Sequence, residues 1–316
     1  MRTWNRRWTI EVPGKVAGLV WHDEETDSVL VADGWGVAFA SLAVRRFDLA
    51  TGDELASVRT RTSIRAFAAG GKDELYLLGQ EAVFVHHRAT LERTAAYRRR
   101  VPHLGNAICG VNVDAVAIGA PNRLVEYGLS TGRSRTVSRV PPIELTRLSS
   151  TAVAVLADGA VWSRGAEGWG ITGGLGEPCY VASLDRASSR VAALGGRLDS
   201  PYDESGSPRS VVWPRSRRLR VLDLNAMDGP RLVELPFPAG NVHLVGDRVV
   251  VDDRHGYEAL VGVVDLVDPE RPLEQGTLPA RVIGSAGRHG LLAEHPGGRD
   301  DTLEISLFAP GSGPQS

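Results

Sequence analysis

Lysine is almost missing from this chain. Lys15 and Lys72 are the only two among 36 basic residues, so nearly every cation is an arginine. A guanidinium stays charged at any accessible pH. The bias is read as the coding habit of a GC-rich bacterial genome rather than as a phosphate-binding adaptation. Cysteine is equally scarce. Cys109 and Cys179 stand seventy residues apart, which excludes a disulfide framework and a zinc knuckle. No Asn-x-Ser/Thr acceptor occurs, and Met1–Trp8 leads into no apolar signal core. No run approaches the roughly 18 apolar residues needed to cross a bilayer. A cytoplasmic chain with no membrane contact is the expectation.

Excess charge of either sign is also lacking: the formal net charge is −2. A nucleic-acid partner calls for a basic face that this balance does not announce. Arg98-Arg99-Arg100 is the one basic run, and it reads as solvated charge at a strand end. Helical patterning is missing as well. No segment keeps apolar residues at i, i+3, i+4 and i+7 for three turns.

What fills the chain instead is a succession of short runs rich in Val, Leu and Ala, punctuated by Gly, Pro, Asp and Ser. That is the strand-and-turn signature, and it predicts an all-β fold. One strand type recurs with a polar turn at its end: Arg46-Phe47-Asp48-Leu49-Ala50-Thr51-Gly52, then Val85-His86-His87-Arg88-Ala89-Thr90, then Glu126-Tyr127-Gly128-Leu129-Ser130-Thr131-Gly132. Later copies are Val221–Leu224, Val263–Leu266 and Ile305–Phe308. The spacing is about 40 residues, apart from one longer step that an insertion near residues 198–208 explains. A period near 40 in an all-β chain belongs to propeller blades.

The predicted architecture is therefore a seven-bladed β-propeller with four antiparallel strands per blade. The blades fall at about 16–60, 63–100, 103–140, 143–174, 180–237, 241–279 and 281–308. The last blade supplies only three strands, and an orphan strand lies at 8–12. This N-terminal strand is expected to complete the last blade and close the ring, which removes open sheet edges. Residues 1–309 thus form one propeller domain, followed by a flexible tail at 310–316.

The Asp-Leu-Ala-Thr-Gly and Gly-Leu-Ser-Thr-Gly turns resemble the outer-strand turns of the WD40-like and quinoprotein-like β-propeller superfamily. The resemblance is architectural. The Gly-His and Trp-Asp dipeptides of WD40 repeats are absent, as are tryptophan-docking repeats, so no quinone cofactor comes with it. Scaffolds, lyases, lactonases and hydrolases all use such rings, and the fold alone selects none of them.

Two catalytic spellings carry little. Gly128–Gly132 matches the Gly-x-Ser-x-Gly elbow, but that elbow needs a helix after the turn, and a strand pattern follows here. Gly168–Gly173 matches a dinucleotide fingerprint without the helix that would receive a pyrophosphate.

Candidate site residues come from loops on the face that joins second strands to third strands. The glycine-rich segment Asp33–Ala40 offers Trp35 and Phe39 as anchors for a partner or as a plug in the channel. The blade-five insertion carries Tyr202 and Asp203. Blade six adds Asp253, His255 and Tyr257, and blade seven adds Glu294, His295 and Arg299. Carboxylates and histidines gathered there suit a divalent metal or acid–base chemistry, with His255 and His295 as the candidate catalytic pair. Two functions are therefore expected from this chain. The first is a non-enzymatic module presenting a loop-rich face to a protein partner, without a cofactor. The second is a lyase or hydrolase acting on a small polar ligand, with the insertion as a lid.

Overall fold

The computed structural model describes residues 4–14, 19–33, 42–102, 105–148, 150–185, 188–196, 215–226, 228–253, 258–268, 271–296 and 302–310. Among them, 28 strands form seven antiparallel sheets of four strands each. The single helical element among the described residues is a short 3-10 turn at Gly287–His289. Strands are numbered β1 to β28 in chain order.

Each sheet is a blade, and in six of the seven the strands run outward in sequence order. Blade one consists of β2 (Leu19–Asp23), β3 (Ser28–Ala32), β4 (Ala43–Asp48) and β5 (Glu54–Arg59). Burial follows position in the blade. Every residue of β3 is buried, whereas β5 alternates between exposed and half-buried. A second strand has a neighbouring blade against both of its faces, so it reads as a continuous apolar run such as Val249-Val250-Val251. The outermost strand faces solvent and can tolerate Arg, Glu and Thr.

Seven apolar clusters lie between the blades, one for each seam. No blade buries its own faces alone, so stability is shared around the ring. The ring is closed as the repeat count requires. β1 (Trp4–Pro13) pairs antiparallel with β28 (Thr302–Pro310), and the last sheet has the order β1-β28-β27-β26. Trp8, Ile10 and Val12 of β1 enter the seam between blades seven and one. The Trp8 indole Nε1 donates to the Leu49 carbonyl at 2.7 Å, pinning the closure to blade one.

The recurring outer turn has a shared geometry. The Gly52 amide donates to the Asp48 carbonyl and the Gly132 amide to the Gly128 carbonyl, both at 2.9 Å. Both glycines have positive φ, +79° and +60°. In blade two the same bond runs from the Leu91 amide to the His87 carbonyl, and Leu91 takes φ +58°. Leu91 is fully buried, so its side chain compensates for an unfavourable backbone.

Blade two departs from the repeat a second time. Leu49, Leu129, Leu224 and Leu266 each follow the third strand, and each donates its amide back to the turn between the first two strands. Arg88 makes that same bond to the Asp73 carbonyl, so a guanidinium occupies a leucine position. It reaches across the seam to Asp23 at the end of β2, with Nε and Nη2 on the two carboxylate oxygens at 2.6 and 2.5 Å. Nη1 also contacts Glu25. Asp23 is 0% exposed and Arg88 3%. Arg46 completes the group, donating to Ser28 and to the carbonyls of Arg88 and Ala89. Burial alone would lower the Arg88 pKa, but its bonds to Asp23 and Glu25 leave it raised.

Candidate functional site

Loops that join second to third strands, and fourth strands to the next blade, open on one face of the ring. The spans between described strands are uneven on the two faces. On this mouth face the chain needs residues 33–42 to pass from β3 to β4, and 196–215 from β19 (Arg190–Gly195) to β20 (Ser216–Asp223). On the opposite face, first and second strands join over tight spans such as Val113-Asp114 and Gly246-Asp247.

The mouth-side strand ends of blades six and seven carry an ordered set of charges. In blade six, Asn241 of β22 (Asn241–Val245) sits directly opposite Asp252 of β23 (Arg248–Asp252). The Asn241 amide donates to Asp252 Oδ1 at 3.2 Å, and His243 Nε2 lies 3.2 Å from Oδ2. Asp252 is 1% exposed, so this pairing offsets the cost of burying a carboxylate. Blade seven repeats the device. Arg281 of β26 (Arg281–Ser285) stands opposite Glu294 of β27 (Leu291–Pro296), and the two form an ion pair with Glu294 fully buried. Blade one shifts the acid by one residue. Asp33 follows β3, its amide bonds the Ala43 carbonyl, and Arg45 Nε approaches its carboxylate at 3.6 Å. Burial raises the Asp33 pKa above its ordinary value, against the opposing pull of Arg45.

Three of the ten residues singled out from the sequence lie among those described. Glu294 was expected in a loop. It stands instead inside β27, because that strand continues through Pro296 to pair with β28. His295 is in the same strand, with Nε2 3.2 Å from Glu304 Oε2 and 3.3 Å from Ser306 Oγ. Asp253 closes the connection to β24 (Ala259–Asp265), its carboxylate accepting the Leu260 amide at 3.1 Å. Trp35, Phe39, Tyr202, Asp203, His255, Tyr257 and Arg299 lie outside the described residues. Among the described residues, no group of three or more His, Cys, Asp or Glu side chains could hold a metal ion.

The two catalytic spellings resolve into architecture. Ser130 caps a turn, its hydroxyl bonding Asp114 Oδ2 at 2.7 Å on the exposed opposite face, with no helix after it. Gly168–Gly174 is the outer strand β17. Sequence reasoning placed Asp252 in the blade-six mouth loop but missed Asn241 and Arg281 as rim residues. Their one signal was an ionisable or amide side chain at the mouth end of an otherwise apolar inner strand.

Chemically the described rim neutralises itself. His243 is matched to Asp252, Arg281 to Glu294, and His295 to Glu304. Each pair joins neighbouring strands of one blade.

Against known proteins the likeness is one of fold. No protein-family model matches the chain, and no curated protein does. Among solved structures, the Pan2 WD40 domain of Neurospora crassa superposes with a TM-score of 0.64 at 12% identity, covering 98% of this chain and 96% of that one. The β-propeller domain of Cps50 (Swd1) from Myceliophteria thermophila gives 0.63 at 12% identity, covering 96% and 99%. The WD40-like propeller read from the turn motifs is thus the observed fold.

Proposed function

We propose that this chain is a protein-binding module that presents the mouth face of a rigid ring to a partner. The observation that carries the reading is the asymmetry of the two faces. The two longest connections between strands, 33–42 and 196–215, fall on the mouth face, while no span on the opposite face exceeds eight residues. A ring locked by seven apolar seams fixes the strands at the mouth, so a partner need not order the scaffold on binding. The rim charges that are described serve one another, which favours a platform over a reaction centre. Cys109 and Cys179 are buried and form no disulfide, which suits action in the reducing cytoplasm.

Photocrosslinking tests the reading. A benzophenone side chain at Trp35, within the 33–42 connection between β3 and β4, is expected to trap a discrete protein adduct in cells. The same group at Val113, exposed on the opposite face, is expected to trap none. Equal labelling from both positions, or none from Trp35, would overturn it. Loss of a measurable turnover in His255→Ala and His295→Ala variants would favour the enzymatic function instead.

A further inference from the structure

The seam between blades one and two is closed near the axis by Leu30, Val44, Leu75 and Leu77. Blades diverge outward like spokes, and here the outer part of the seam stays open. It forms a groove of about 820 Å³ between β5 and the strands β8 (Val83–His87) and β9 (Arg93–Tyr97). Phe84 lies on its floor, and Arg59, Arg61, Arg93 and Arg98 line it against one acid, Glu81. All four arginines are exposed.

Several arginines elsewhere in the ring are matched to an acid. Arg164 is paired with Glu126, Arg190 with Asp247, Arg218 and Arg220 with Glu177, and Arg271 with Glu274. None of the four groove arginines has an acidic partner among the described residues. The imbalance extends along the chain. Residues 59–139 hold thirteen Arg and Lys against six Asp and Glu, in a protein whose total is −2. Like charges set side by side repel, and the arrangement becomes favourable when an anion enters between them. The groove falls within the size range of binding clefts, and its floor is aromatic rather than ionic. A polymer with uniform backbone charge would be served by a continuous basic stripe, but Glu81 and Phe84 interrupt this one.

We infer that this groove is a docking site for an acidic peptide segment of the partner, held by bidentate carboxylate–guanidinium contacts from Arg59, Arg61, Arg93 and Arg98. The inference rests on the reading of the chain as a protein-binding module and adds a second contact region to the mouth face. Carboxylates of the segment replace the missing acidic partners of the seam.

The test is fluorescence anisotropy of the full chain with a labelled deca-glutamate peptide at about 50 mM salt, where exposed charges are weakly screened. Saturable binding is expected, weakened at least about tenfold by about 200 mM salt. The Arg61→Glu/Arg93→Glu variant should weaken binding at least about tenfold. Arg139→Glu/Arg288→Glu, which changes net charge equally away from the groove, should leave it within about twofold. Matching thermal melts confirm that both variants are folded. Equal losses in the two variants reduce the effect to bulk charge and overturn the site. So does tighter, groove-dependent binding of a single-stranded oligothymidine of the same charge, or no peptide binding at all. If the groove fails while the Trp35 adduct persists, only the groove is lost. If both fail, the protein-binding reading falls as well.

Discussion

Arg88 stands where other blades place leucine, and the physics of that exchange is open to measurement. Arg88→Leu restores the consensus of the repeat and, on propensity and hydrophobicity alone, should be harmless or stabilising. The buried carboxylate of Asp23 reverses that expectation. With both partners within 3% of full burial, removal of the guanidinium leaves a buried carboxylate without its bonded partner and only Arg46 to offset its charge. That costs about 3–5 kcal/mol. Glu25 adds little, because its side chain is 60% exposed and screened by water. For a chain of this length each kcal/mol is worth roughly 1.5 °C, so Arg88→Leu should lower the melting temperature by about 5–8 °C. Adding Asp23→Ala removes the orphaned charge and should bring stability back to within about 1 kcal/mol of the parent. Arg46 retains Ser28 and two backbone carbonyls in that double variant. Urea and thermal unfolding of the four proteins gives the coupling energy directly. A loss below about 1 kcal/mol in Arg88→Leu, or a double variant no better than the single, refutes the reasoning.

Further outcomes follow from the same seams. Asp33 has a raised folded pKa through burial, so its stability penalty grows as pH rises through that pKa and is complete at neutrality. Asp33→Asn should therefore melt higher than the parent at pH 7, with the gain vanishing below about pH 4, the ordinary carboxylate range. His86 is buried, which lowers its pKa below 6.5. Its unfolded form takes up the proton first, so stability falls as pH drops below about 6.5. Phe47 occupies the matching position of blade one, and His86→Phe should remove this acid-side loss in urea titrations at pH 7 and about 5. Gly52→Ala forces a side chain into positive φ and to 3.2 Å from the Trp8 ring, and should cost about 1–2 kcal/mol by thermal melt. Deleting residues 1–13 removes Trp8, Ile10 and Val12 from their seam. At about 2–5 kcal/mol per large buried side chain this approaches the whole stability of a typical fold, so the truncated chain should fail to give a cooperative transition.

The seven blades and the closure by the N-terminal strand were legible because they are local and periodic properties. A turn needs Asp, Thr and Gly at set positions, a second strand needs an unbroken apolar run, and the count of copies does the rest. The opposed readings of Gly128–Gly132 and Gly168–Gly173 were settled by the same local signal, since neither is followed by a helical pattern. Partners across a seam obey no such rule. Asp23 and Arg88 are 65 residues apart, and only the stacking of blade one on blade two shows that a charge at a leucine position has a buried counter-charge. His295 and Glu294 are adjacent in sequence, yet one is fully buried beside Arg281 and the other faces Glu304, because β27 outruns the loop expected of it. The acidic groups that Arg164 and Arg190 find, and that Arg59, Arg61, Arg93 and Arg98 do not, are likewise set by neighbouring blades. Composition and period determined the ring. Which of its charges are buried, paired or left facing solvent was decided by how each blade meets the next.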